Sequence, residues 1–278
     1  KSIDAYQYAI AINEKFDFAY RNMADAMMRL HRYKEAIESL ERVIELARPE
    51  DLIYQAIGFC YEKIKNYAQA RFYYRKASHL NPDDAKIYLK VAGTYIKESK
   101  HAQAIKYLDT SLRIKRLDPE FNLTMGECLV KVGKLKEAVH YFMAAVQARP
   151  KNIKSWDALI AALFVSGQFK EAQKQVEMAR NQTVNKPMFD YYDSAILLSI
   201  GKIKPGLDLL EHSIEAQPRL LKKFLKLYPS SVKFPQVVEL ILKYKRKKRI
   251  WAHVQNWADA VNHLFRIFGK TNLDHEFQ

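Results

Sequence analysis

Residues 51–84 read DLIYQAIGFCYEKIKNYAQARFYYRKASHLNPDD. Tyr54, Ile57, Gly58 and Tyr61 recur there at three- and four-residue spacing, and so do Ala70, Tyr74 and Ala77. That spacing places each set on one face of an α-helix. The 34-residue frame then runs in both directions without insertion, with blocks opening at Asp17, Asp51, Ala85, Pro119, Ile153 and Pro187 and ending at Leu220. Position 20 of successive blocks is Ala36, Ala70, Ala104, Ala138, Ala172 and Gly206. Position 24 is Leu40, Tyr74, Leu108, Phe142, Val176 and Leu210, and position 27 is Val43, Ala77, Ser111, Ala145, Ala179 and Ser213.

Two helices per block follow from this pattern. Small residues at positions 8, 20 and 27 let two helix backbones approach, while larger ones at 4, 11 and 24 fill the remaining space. The turn between the helices falls near position 15, where Gly133, Gly167 and Gly201 suit a left-handed C-cap. Pro82, Pro150 and Pro218 are expected to stop the second helix near position 32, with Pro49 and Pro119 doing the same at neighbouring places.

These residues resemble the tetratricopeptide repeat (TPR) family, whose Trp, Leu-Gly, Tyr, Ala, Phe and Pro pattern is matched by Tyr54, Ile57-Gly58, Tyr61, Ala70, Tyr74, Ala77 and Pro82. The resemblance covers residues 17–220 and weakens in the last block, where Asp190 and Gly206 replace a large and a small apolar residue. It implies an all-α, right-handed superhelical solenoid of six helix-turn-helix repeats: 17–50, 51–84, 85–118, 119–152, 153–186 and 187–220. Residues 1–16 fit the second helix of an earlier repeat, with Ser2, Tyr6 and Ala9 on positions 20, 24 and 27. Because Lys1 stands inside a repeat, further repeats are expected upstream; the compartment is left open by the missing upstream sequence, with a cytoplasmic one favoured. Cys60 and Cys128 both occupy position 10, two repeats apart. Helix axes spaced roughly 8–10 Å put them beyond bridging reach, so two free packing thiols are expected.

From Leu221 onward the register is lost. Leu221–Tyr228 reads as a short apolar-basic helix ended by Pro229, and 235–248 as another, with Val238, Ile241 and Leu242 facing inward. Residues 250–268 carry Trp251, Val254, Val261, Leu264, Phe265 and Phe268 at helical spacing. A solenoid needs its end covered, so residues 221–278 are expected to form a helical cap.

The chain has 46 Lys+Arg against 31 Asp+Glu, a net charge of +15, and more than half of that surplus lies beyond residue 200. Lys243, Lys245, Arg246, Lys247, Lys248 and Arg249 put six cations in seven residues. Such a run suits nucleic acid, an anionic membrane surface or an acidic protein. At 49% hydrophobic and 28% charged the composition is that of a folded domain and too apolar for a disordered chain. No stretch of 18 apolar residues occurs. Phosphate-loop, dinucleotide, zinc-protease and serine-hydrolase motifs are absent, and the eight His are scattered. A non-enzyme without cofactor or metal is expected.

What remains is binding. In the resembled family the first helices expose positions 2, 5, 6, 9, 12 and 13 along a concave groove that takes a partner peptide. Position 13 is Arg29, Lys63, Lys97 and Lys131 in four consecutive repeats, a ladder of cations. Arg21, Gln55, Asn22, Lys90 and Lys86 stand at positions 5, 6 and 2, with Phe59, Leu89 and Ile96 between them as apolar contacts. The family's variant that clamps a terminal carboxylate is matched at Arg21, Lys86 and Lys90, whereas Asp25 and Ala56 replace its two Asn, which argues against that clamp. The expected partner is a protein segment carrying acids between apolar anchors. Asp157 and Asp190 are expected to leave the later repeats less electropositive. The alternative is a basic adaptor docking on nucleic acid or an anionic membrane through 243–249.

Overall fold

The computed structural model describes residues 2–48, 50–184 and 186–247, and among them the regular structure is helical throughout. They fall into two compact units, Lys1–Pro150 and Lys151–Gln278. In unit one the helices are α1 (Ser2–Ile12), α2 (Asp17–Arg29), α3 (Tyr33–Leu46), α4 (Asp51–Lys63), α5 (Tyr67–Leu80), α6 (Ala85–Lys97), α7 (His101–Ile114), α8 (Pro119–Lys131) and α9 (Leu135–Ala148). Unit two holds α10 (Ile153–Val165), α11 (Phe169–Gln182), α12 (Lys186–Ser199), α13 (Ile203–Ala216), α14 (Leu221–Leu227) and α15 (Pro235–Lys247). The 34-residue periodicity gave no sign of a division near residue 150.

Each repeat closes as a helical hairpin around one size match. Ala36, Ala70, Ala104, Ala138 and Ala172 at position 20 are fully buried. The residue at position 8 is chosen against that at position 24. Where position 24 is Leu40 or Leu108, position 8 is the buried Ala24 or Ala92, whereas the larger Tyr74 and Phe142 face Gly58 and Gly126. A Cβ on Gly58 would sit 2.7 Å from the Tyr74 ring, and one on Gly126 would sit 2.3 Å from the Phe142 ring. In the sixth repeat Ser194 at position 8 donates a 2.8 Å hydrogen bond to the Gly206 carbonyl at position 20, so the two backbones are close there too.

The turns are equally uniform. Position 15 has positive φ in all six repeats: His31 (60°), Lys65 (63°), Ser99 (59°), Gly133 (80°), Gly167 (73°) and Gly201 (81°). The next residue donates its N–H back to the first helix, as in Arg32 to the Met27 carbonyl and Asn66 to the Tyr61 carbonyl, both 2.9 Å. This is the Schellman closure that sequence reading recognised only where glycine supplies it. Between repeats, Asn122 is buried and donates to the carbonyls of Arg116 (2.8 Å) and Asp118 (2.9 Å), tying down the preceding loop.

Two expectations need correction. Pro119 does not stop a helix; it is the first residue of α8, where its missing N–H is not needed, with the Asp118 carboxylate capping the helix N-terminus. On α15 the buried side chains are Val237 and Tyr244, while Val238, Ile241 and Leu242 are half-buried. A 3₁₀ turn over Pro229–Lys233 precedes the helix. Pro49 and the apolar stripe of 250–268 lie outside the described residues. Cys60 and Cys128 are free and buried, and burial pushes both thiols up to about 11.

Two substitutions test the packing. Ala104→Leu overfills the closed hairpin and should cost about 1–3 kcal/mol, read as a lowered melting temperature. Lys65→Gly should go the other way. It removes a left-handed strain of roughly 1–2 kcal/mol, against about 0.5–1 kcal/mol for glycine's freedom in the unfolded chain. An urea titration in which Lys65→Gly lowers the midpoint would show that the Lys65 turn is unstrained.

Candidate interaction groove

In unit one the first helices α2, α4, α6 and α8 carry the positions that packing does not use. Position 13 is exposed at Arg29, Lys63, Lys97 and Lys131, and these cations differ in what they touch. Arg29 pairs with Asp25 on its own helix at 3.0 Å. Lys63 sits 4.9 Å over the Phe59 ring, a cation–π contact. Lys97 reaches back one repeat to Glu62 at 2.5 Å. Lys131 and Lys86 are exposed and have no ion pair among the described residues. Exposed pairs such as Arg29–Asp25 hold only about 0.2–1 kcal/mol each, so a partner's carboxylate can compete for them.

Other candidates are committed inside the fold. Arg21 makes a two-pronged contact with Glu50, at 2.8 and 3.0 Å, which raises its pKa and leaves it serving the join between α2 and α4. Gln55 is buried; it donates to Asp51 at 3.1 Å and accepts from Lys90 Nζ at 2.6 Å. Neither side chain is free for a partner, because the inter-repeat join and burial at position 5 use them first. Asn22, Leu89 and Ile96 are half-buried, and Phe59 is 37% exposed with its ring centroid 6.2 Å from that of Tyr33 in a T-shaped arrangement.

Lys90 is the unusual cation. It is half-buried, and desolvation lowers its pKa, an effect that Asp84 and Glu62 partly oppose. Its hydrogen-bond partner is the neutral amide of Gln55. A desolvated ammonium held by a neutral acceptor gains more from an incoming carboxylate than a fully hydrated one does.

One turn further along the same face of α6 stands Gly93, which sequence reading passed over. Apart from its chain neighbours and the nearby backbone of α6 itself, no atom lies within 4 Å of where its Cβ would be. A mid-helix glycine costs about 0.8–1 kcal/mol relative to alanine, and at Gly58 and Gly126 the aromatic partner accounts for it. At Gly93 no packing partner does.

In unit two the two acids expected to thin the positive field are consumed internally. Asp157 takes a hydrogen bond from Tyr192 Oη at 2.5 Å and pairs with Lys223. Asp190 and Asp193 pair with Arg180 at 2.6 and 2.7 Å, and burial pushes the Asp193 carboxyl up to about 6. Lys243 of the basic run pairs with Glu211 at 2.8 Å. Lys245, Arg246 and Lys247 belong to the last turn of α15, and Lys248 and Arg249 lie outside the described residues. No described helix is long and apolar enough to cross a membrane.

The comparisons with known proteins agree with this architecture. Residues 1–132, just under half of the chain, match the family described as the tetratricopeptide repeat protein 21 C-terminal ARM domain, and residues 119–152 match a tetratricopeptide repeat family. The chain is a tetratricopeptide-repeat protein. Its fold class, all-α and of the TPR solenoid type, is shared by solved structures. The C-terminal part of a TPR repeat-containing protein from Cytophaga hutchinsonii is 15% identical with a TM-score of 0.69, over 81% of this chain and 93% of that one. YrrB, a TPR protein with an unusual peptide-binding site, is 19% identical with a TM-score of 0.52, over 65% and 93%. MamA is 23% identical with a TM-score of 0.51, over 53% and 86%. No curated protein is significantly similar in sequence.

The two kinds of glycine separate in a simple measurement. Gly93→Ala should stabilise the protein by about 0.8–1 kcal/mol. Gly126→Ala should destabilise it, since its Cβ meets Phe142 at 2.3 Å. Thermal melts of the two variants check this, and a destabilising Gly93→Ala would mean the backbone itself needs glycine there.

Proposed function

We propose that unit one is a docking platform for a segment of another protein, laid along the first-helix face of α4, α6 and α8. The partner places acidic side chains against Lys63, Lys86, Lys90 and Lys131 and apolar ones against Phe59, Leu89 and Ile96. The protein is then an interaction scaffold and performs no chemistry of its own. The peptide-binding site named for YrrB is in keeping with this reading.

Gly93 is the observation that carries it. It opens a notch in the middle of α6, on the face shared by Lys86, Leu89, Lys90 and Ile96, at a stability cost that packing does not require. A side chain at that place would hold a partner's backbone away from the helix. Local cost without a packing reason marks positions kept for function. The charges contribute differently. Being mostly exposed, they act on encounter and on partner choice more than on final affinity.

The test selects random displayed peptides on the full chain. Sequences combining Asp or Glu with Leu or Phe should be enriched. A Gly93→Leu variant, with its melting temperature unchanged or raised, should bind the selected peptides at least about tenfold more weakly, a loss of roughly 1.4 kcal/mol. The triple variant Lys63→Glu, Lys86→Glu, Lys131→Glu should lose them while keeping its helical content. If both variants hold the peptides at wild-type strength, unit one binds through another surface.

A further inference from the structure

First-helix positions 2, 6 and 12, exposed or half-buried at Lys86, Lys90 and Ile96 of α6, are covered in unit two, together with position 5. Asp157 and Phe164 occupy positions 5 and 12 of α10, and Met188, Tyr191 and Tyr192 occupy positions 2, 5 and 6 of α12. All five face the short helix α14 or the residue that follows it. Lys223 pairs with Asp157 and lies 3.8 Å from the Met188 sulfur. The Phe224 ring is 5.9 Å from that of Tyr191, and the Tyr228 ring is 5.5 Å from that of Phe164, edge to face. Leu221 and Phe224 are 2% exposed and Leu225 is 5% exposed. Leu221, Phe224, Leu225 and Tyr228 follow the i, i+3, i+4, i+7 rule by which an amphipathic helix enters a groove.

We infer that the groove of repeats five and six recognises a basic amphipathic helix, and that α14 is a ligand held there in cis rather than a fixed part of the core. Three features carry this. The helix has seven residues, far below the roughly 12–15 that a helix needs to persist alone, so the groove supplies its order. Short 3₁₀ turns, Pro218–Leu220 and Pro229–Lys233, flank it on both sides and separate it from the continuous hairpins. Its contact with α10 includes a charge pair, Lys223 with Asp157, in which Asp157 is itself positioned by Tyr192. An element that only sealed the end of the stack would need apolar contacts alone. A half-exposed charge pair at that contact adds a preference for one charge sign in one register.

The groove of unit two thus has a preference opposite to that proposed for unit one. It accepts a cation between an aliphatic and an aromatic anchor. The inference does not rest on the acid-binding reading of unit one.

The experiment uses the full chain and a fluorescein-labelled peptide of residues 217–234. The wild-type groove is filled, and a tethered ligand outcompetes a free one. The peptide should therefore bind wild type at least about tenfold more weakly than it binds the variant Lys223→Glu, Phe224→Ala. Adding Asp157→Lys to that variant should abolish binding. Hydrogen exchange on the unaltered protein gives a second readout, in which amides of α14 should exchange at least about tenfold faster than those of α12 and α13. Exchange of α14 as slow as α12 would make it part of the core and overturn the inference. So would a folded double variant that fails to bind the peptide. If that variant loses helix, the exchange result decides alone.

Discussion

Each repeat depends on how closely two helix backbones can approach, and a pair of positions controls that distance. In the six full repeats position 20 is never larger than alanine, and position 8 shrinks to glycine when position 24 holds Tyr74 or Phe142. Dispersion falls off over less than an ångström, so a hairpin with the wrong pair is either strained or hollow. The compensation is local to each repeat. That is why the frame tolerates Leu, Tyr, Phe and Val at position 24 without an insertion in 204 residues. With the hairpin closed, the helix ends are held by one turn conformation, repeated six times whatever residue stands there.

The parts of the structure set by chain-local physics were legible. Helical spacing gave the faces, small residues gave the crossing, and glycine gave three of the six turns. The other three were hidden because His31, Lys65 and Ser99 take positive φ under the constraint of the closed hairpin, and their side chains do not announce it. Pro119 was misread for a related reason. Proline is compatible with a helix start as well as a stop, and only the preceding Asp118 cap distinguishes the two.

The candidate site was legible as a row of positions and not as a set of free groups. Sequence position put Arg21, Gln55 and Asp157 on exposed rows and Asp190 on the packing row at position 4. It did not show that Glu50, Lys90, Tyr192 and Arg180 stand within hydrogen-bond reach of them. Those partners lie between 10 and 35 residues away, beyond what a helical face can reveal. The rotation of α15 failed in the same way. Its sequence carries two apolar stripes about 100° apart, and helical spacing alone does not say which one is buried.

Folding and recognition use separate positions in this repeat, and that separation permits the two units to differ. Positions 8, 20, 24 and 27 are occupied with closing the hairpin. Positions 2, 5, 6, 9, 12 and 13 of the first helix are left to vary. In unit one they combine exposed cations, half-buried apolar side chains and a glycine that packing does not require. In unit two they combine Asp157 with Phe164, Met188, Tyr191 and Tyr192, and a segment of the same chain lies across them. The scaffold beneath is the same, so the change in charge sign needs no change in the register of the helices. A surface that can be rewritten without disturbing the core is what allows one repeat frame to hold its own α14 in one unit and leave the other face open.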